Sequence, residues 1–260
     1  MKSKGSWRSG FEEVSNFRMY YREWRPAGGE ENPPVMALHG SLSQGGMWLG
    51  SAESIGCARF VCPDQRGYGL SGDPGAGDAA ADFAGDAIRL ADALFLERFT
   101  IMGHSFAGSI ALQVAAMEPG RVAGVVLVDP TVRNPKGNKA NLEAMRSRPH
   151  EFMDLGEAEK FWKKSEEGHW PAKGLSRFVR DVMTTSGERA PCRMPFEMDR
   201  LIRLRTYQAS GTSDYFPVKI AKKVGCPVLI FRGGESRRFS EEGQKRLQGA
   251  FPKKPRVAVC

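Results

Sequence analysis

Histidine is scarce in this chain of 260 residues, cysteine is unpatterned, and long apolar runs are missing. The five cysteines (Cys57, Cys62, Cys192, Cys226, Cys260) are odd in number, widely spaced and without a C-x-x-C pair. That pattern argues against both a disulfide framework and a zinc site. A reducing compartment fits, and the expected location is cytoplasmic. The longest strongly apolar stretch, Val122 to Val128, falls far below the roughly 18–20 residues needed to cross a bilayer. The start, MKSKGSWRSG, carries charge but no apolar h-region, so no membrane partner is expected. Walker, dinucleotide and metal-binding motifs are also lacking, and no metal or other cofactor is implied.

What is present suits a folded domain. With 41% hydrophobic and 26% charged residues, the chain can bury a core without staples, which excludes disorder. The length suggests one domain enlarged by an insertion. The net charge of +8 is uneven: residues 1–130 carry 11 basic against 15 acidic residues, and the remainder 27 against 15. Lys160, Lys163 and Lys164 sit beside Glu166 and Glu167, and no nucleic-acid-binding signature appears, so the basic half reads as a solvated surface. Attraction of anionic substrates is the minor reading.

Phe17 to Trp24 mixes aromatic and charged residues as a half-buried strand does. Short apolar runs follow at Val35–Leu38, Arg59–Cys62, Phe99–Met102, Val122–Val128 and Pro227–Phe231, of the kind buried on both faces, and a last short strand is expected at Arg256–Val259. Helical periodicity appears at Ala79–Leu94, Phe106–Met117 and Glu241–Ala250. Alternation of strand and helix predicts an α/β fold, a mostly parallel sheet covered by helices on both faces. The rhythm fails across residues 134–216, which are polar, basic and helix-compatible, with pieces such as Glu157–Ser165 and Leu175–Thr184. The predicted division is therefore a core in two parts, 1–133 and 217–260, around a helical insertion at 134–216.

The chemistry is concentrated where the run Phe99–Met102 passes through Gly103-His104-Ser105-Phe106-Ala107-Gly108 into a helix. Small residues let the strand and helix backbones crowd together, and the tight turn lifts Ser105 above the sheet. A helix N-terminus there supplies backbone N–H groups, chiefly that of Phe106, to a developing oxyanion. The pattern G-x-S-x-G is met with Ala107 where its last glycine would stand.

Four landmarks in order resemble the α/β-hydrolase family. Besides the elbow they are Leu38-His39-Gly40-Ser41 after the Val35 run, Asp64-Gln65-Arg66-Gly67-Tyr68-Gly69-Leu70-Ser71 after the next, and the insertion in the place of the family's cap. The resemblance implies that the Ser41 N–H is the second oxyanion donor, that the 64–71 loop is structural, and that the insertion roofs a pocket. Phe161, Trp162, Trp170, Phe178, Phe196 and Tyr207 suggest an apolar wall to it.

A serine nucleophile needs a base, and an acid to orient that base. The resemblance offers two positions for the acid: Asp129, directly after the Val122–Val128 run, and Glu235, in the loop after Pro227–Phe231. Asp129 is preferred because it ends a buried strand on the edge where such sites assemble. An Asp before Pro130 that merely organises a turn is the plain alternative. The family's histidine belongs after the last strand, where this sequence reads only Cys260, and no histidine follows His169. Loss of a triad base costs on the order of 10⁶ in kcat. The expectation is thus a truncated serine hydrolase, weakened or inactive as written. Its substrate class would be carboxylic esters or lactones of small apolar acyl compounds, processed through an acyl-enzyme. The competing expectation is a non-catalytic protein that binds a small ligand, or serves as a scaffold, on the same fold. Expected partners are the small-molecule ester or lactone and, at most, a second copy of the chain in a homodimer.

Overall fold

The computed structural model describes residues 5–29, 32–132, 146–164, 172–187, 189–210, 213–215, 217–236 and 238–260. Eight strands form the main sheet: β1 (Gly5–Val14), β2 (Phe17–Pro26), β3 (Val35–Leu38), β4 (Phe60–Pro63), β5 (Phe99–His104), β6 (Val122–Val128), β10 (Val228–Arg232) and β11 (Arg256–Val259). Their order is β1-β2-β4-β3-β5-β6-β10-β11. The β1–β2 and β2–β4 pairs are antiparallel, and every later pairing is parallel. The strand β1 was not read from the sequence. It lies at the sheet edge with Val14 as its one buried residue, so alternation carries little hydrophobic signal.

Side chains alternate across the parallel strands as the two-residue period requires. Met36, Leu38, Ile101, Val125, Leu127 and Ile230 enter one core, with α2 (Ala80–Ala93), α3 (Ala107–Met117), α7 (Pro217–Ala221) and α8 (Glu241–Gln248). Ala37, Phe60, Cys62 and Met102 enter the other, beneath the 3-10 turn Gly45–Trp48 and α1 (Leu49–Ile55). Each fully buried Leu or Ile contributes about 1.5–3 kcal/mol of transfer free energy, which is what holds helices to both faces. On the α1 face, Val126, Val128, Leu229 and Phe231 are only half-buried, whereas Val125, Leu127, Val228 and Ile230 opposite are buried.

Between β6 and α7 the described elements include three helices, α4 (Leu155–Lys164), α5 (Ala172–Val182) and α6 (Met198–Ala209). The expected helical character is joined by a small antiparallel sheet of Glu151–Phe152 (β7), Thr184–Thr185 (β8) and Cys192–Arg193 (β9), in the order β7-β9-β8. Two-residue strands leave no periodicity to read.

This insertion is tied to the core through polar contacts. Gln44 Nε2 donates to the Val182 carbonyl at 2.5 Å, and the Gly69 N–H to that of Pro195 at 2.6 Å. The Asp214 carboxylate accepts the first N–H groups of α2, Ala80 at 2.7 Å and Ala81 at 2.9 Å. The loop 64–71 is structural, as its sequence suggests: buried Asp64 accepts from Arg22, Gly45 N–H and Leu70 N–H. All five cysteines are free thiols. Among the described residues, no helix is long and apolar enough to cross a membrane.

Candidate active site

The sheet order reverses at β3, which lies between β4 and β5, so the loops leaving β3 and β5 diverge and open a crevice at the strand ends. Gly40-Ser41 leaves β3, Ser105 leaves β5 and Asp129 leaves β6. A Cβ built on Gly40 would stand 3.5 Å from that of Ser105, so the two loops touch.

Ser105 occupies the turn between β5 and α3 with φ of 54°. That left-handed conformation costs a side-chain-bearing residue roughly 1–2 kcal/mol and is held by the surroundings. The Ser105 N–H donates to Val128 O at 3.0 Å, while its carbonyl accepts from Gly108 and Thr131. Gly103 and Gly108 are required by crowding: a Cβ on the first would strike the Ala107 carbonyl, and one on the second would lie 2.7 Å from Pro130 Cβ. Ala107, by contrast, is an ordinary first residue of α3 outside the positive-φ set, so alanine serves there as well as glycine.

Ser105 Oγ and Thr131 Oγ1 share a hydrogen bond of 3.2 Å. Thr131 was not foreseen; a hydroxyl two residues past Asp129 was the available signal. Among the described residues, the N–H groups of Ser41 and Phe106 have no acceptor. Phe106 directly follows Ser105 in the chain, and Ser41 directly follows Gly40, which abuts Ser105. The Phe106 ring is buried against Phe83 and Tyr215, at 5.7 and 6.0 Å between centroids, which fixes the start of α3.

Asp129 also has positive φ, 44°, and its N–H donates to Phe231 O. One carboxylate oxygen accepts from Gly233 N–H at 3.2 Å, the other from Ser236 Oγ at 2.7 Å. Glu235, the alternative acid, is exposed and makes no side-chain hydrogen bond or ion pair among the described residues. The loop after β10 thus grips Asp129. The C-terminal end of β11 lies over the same loop, with Cys260 O accepting from Gly234 N–H at 2.6 Å.

The histidines divide sharply. His39 is fully buried; its Nδ1–H donates to Gly40 O at 2.8 Å and its Nε2 accepts from Gln65 N–H at 3.0 Å. Burial pushes its pKa down to about 3, so it is a neutral clamp on the loop bearing Ser41. Burial also lowers the pKa of His104, against the pull of nearby Asp129, and its Nδ1 has no partner. The ring packs against Gly40. His150 faces Glu197 at 3.6 Å on the insertion. His169 and Trp170, like Arg237 of the acid loop, lie outside the described residues. No described imidazole hydrogen-bonds to Ser105 Oγ or to Asp129.

One cationic group was missed from sequence. Arg205, on α6, places Nη2 2.6 Å from Ser41 Oγ and Nη1 3.1 Å from Gln208 Oε1. Its signal was faint, one arginine among Arg200, Arg203 and Arg205 on a single helix. A separate groove of about 650 Å³ on the insertion is lined by Phe152, Glu157, Thr185 and Cys192 among others, and by none of Ser41, Ser105, Phe106 or Asp129. Among the described residues, no group of three or more side chains is arranged to hold a metal ion.

Comparison with known proteins adds to this geometry. A family model described as alpha/beta hydrolase fold matches residues 33–171. A Variovorax paradoxus protein named as a carbamate hydrolase, RutD, is 38% identical over 112 residues, 43% of this chain and 42% of that protein. The lipase LipV of Mycobacterium tuberculosis is 31% identical over 131 residues, 48% of this chain and 47% of that one. The chain therefore spans less than half the length of these curated relatives. Among solved structures, E-2-(acetamidomethylene)succinate hydrolase superposes with a TM-score of 0.78 at 22% identity, covering 98% of this chain and 90% of that one. At that identity the likeness is one of fold.

Proposed function

The chain belongs to the alpha/beta hydrolase fold family, and from its geometry we propose that it is a serine-nucleophile hydrolase of carboxylic esters or lactones of small acyl compounds. The observation that carries this reading is Ser105, held at φ 54° on a strand-to-helix turn that meets the Gly40 loop, with the neighbouring N–H groups of Ser41 and Phe106 unengaged among the described residues. In the proposed reaction Ser105 Oγ attacks the carbonyl carbon as its proton passes to an imidazole. The N–H groups of Ser41 and Phe106 receive the oxyanion, collapse expels the alcohol, and water then cleaves the acyl-enzyme. Asp129 orients the imidazole and stabilises its charged form. Its anchoring by Gly233 and Ser236 supports that assignment over Glu235. A histidine joined after β11 would enter beside Asp129, because the end of that strand overlies the loop that holds it.

One observation favours a second reading, a ligand-binding protein without turnover: no described imidazole reaches Ser105. The two are separated by turnover of p-nitrophenyl butyrate in three forms of the chain: residues 1–260 alone, the same extended by a short histidine-bearing segment after Cys260, and the extended form with Ser105→Ala. Hydrolysis that rises with the extension and disappears with the serine supports the enzyme. Folded extended protein with no serine-dependent hydrolysis supports the binding reading.

A further inference from the structure

Among the described residues Arg205 is a cation without a counterion. Its two hydrogen-bond acceptors, Ser41 Oγ and Gln208 Oε1, are neutral, and no carboxylate forms an ion pair with it among the described residues. On the same helix Arg200 lies against the Asp78 carboxylate and Arg203 pairs with Asp73 at 2.7 Å, although the Arg200 guanidinium makes no hydrogen bond among the described residues. Burial opposes the charge on Arg205 and lowers its pKa, and Arg238 and Arg148 stand close enough to push it further in the same direction. A guanidinium carries five N–H donors in a planar fork, of which two are used among the described residues. Two buried hydroxyls, Tyr68 and Tyr215, lie within electrostatic range of both Arg205 and Arg200, and neither has a hydrogen-bond partner among the described residues.

A buried polar group without a partner is costly, and a buried charge more so, unless a ligand completes the set. A planar, anionic, multiply accepting group would satisfy the guanidinium and the phenolic hydroxyls together, and carboxylate is the small anion whose geometry fits the fork. Position gives this a functional sense. Arg205 touches Ser41, whose neighbour Gly40 abuts Ser105, so an anion held by Arg205 sits within one small molecule of the nucleophile.

We infer that the ligand of this site is a small acyl compound carrying a carboxylate remote from its reacting carbonyl, and that Arg205, with the hydroxyls of Tyr68 and Tyr215, recognises that carboxylate. The inference rests on the site at Ser105 being the one used, and it replaces a wholly apolar acyl group with an anionic one. Arg205 is a specificity residue here, with no part in bond breaking.

The test is binding, which needs no base. Isothermal titration would compare glutarate, its neutral isostere glutaramide and inorganic phosphate against the intact chain, Arg205→Gln and Arg205→Lys. Expected are glutarate binding at least about tenfold tighter than glutaramide or phosphate, loss of at least about tenfold in Arg205→Gln and partial retention in Arg205→Lys. Equal affinity of the parent for glutarate and glutaramide, equal affinity for glutarate and phosphate, or unchanged glutarate binding in folded Arg205→Gln would overturn the inference. Should Arg205→Gln fail to fold, the three ligands on the parent chain still decide. Glutarate selectivity in a protein whose Ser105 proves inert supports the anion site and removes only the hydrolytic reading. A reactive Ser105 without glutarate selectivity removes only the anion site.

Discussion

Ser236 donates a hydrogen bond of 2.7 Å to Asp129 Oδ2, joining the loop after β10 to the carboxylate that ends β6. The Gly233 N–H holds the other oxygen at 3.2 Å. A carboxylate fixed on both oxygens by a loop that also meets the end of β11 is oriented before any base arrives. In the histidine-extended chain, Asp129→Asn should lower kcat by about 10⁴, the size of effect seen when a triad acid is neutralised. Ser236→Ala should cost about tenfold in kcat with little change in KM, and Glu235→Gln should leave both unchanged. Steady-state kinetics on a short p-nitrophenyl ester measures all three, and an Asp129→Asn enzyme as fast as its parent would return the acid to Glu235.

The elbow should tolerate glycine and alanine unequally. Gly108→Ala places a methyl 2.7 Å from Pro130 Cβ and should destabilise by about 1–3 kcal/mol. Gly103→Ala, meeting the rigid Ala107 carbonyl, should cost more. Ala107→Gly restores the usual motif yet should cost about 0.5–1 kcal/mol, because it adds backbone freedom at a helical position that alanine already fills without strain. Urea midpoints rank the three variants.

Stability should fall on the acid side of neutrality. His39 has a folded pKa of about 3 against an ordinary 6.5, so the unfolded chain binds the extra proton between those values. Its neutral form is accommodated fully above about pH 6.5, and stability is lost as pH falls through that window. At pH 5 the loss from this residue is about 2 kcal/mol. His104, whose pKa burial also lowers, acts with the same sign. Urea unfolding at pH 8 and pH 5 should show the drop, and His39→Gln should shrink it. A parent midpoint that does not change with pH would contradict a neutral, buried His39.

The sheet and the strand-to-helix turn bearing Ser105 were legible because their signals are local. Val35–Leu38 and Val122–Val128 are uninterrupted apolar runs between polar breakers, and the elbow is written in six consecutive residues. Asp129 could be preferred over Glu235 because it ends one of those runs. What escaped depends on distant pairing. The edge strand β1 is defined by its register with β2, from Gly5 opposite Pro26 to Val14 opposite Phe17. Arg205 gains meaning only from Ser41, 164 residues earlier in the chain. Thr131 matters because the elbow folds back onto it.

Site-mapped fluorophosphonate labelling of the 260-residue chain, with and without added imidazole, decides whether Ser105 is a nucleophile. A single adduct on Ser105 is expected, formed slowly alone and faster with imidazole, and absent from Ser105→Ala. Imidazole should stimulate less in Asp129→Asn. An adduct on another residue, or equal labelling of folded Ser105→Ala, would contradict a nucleophilic Ser105.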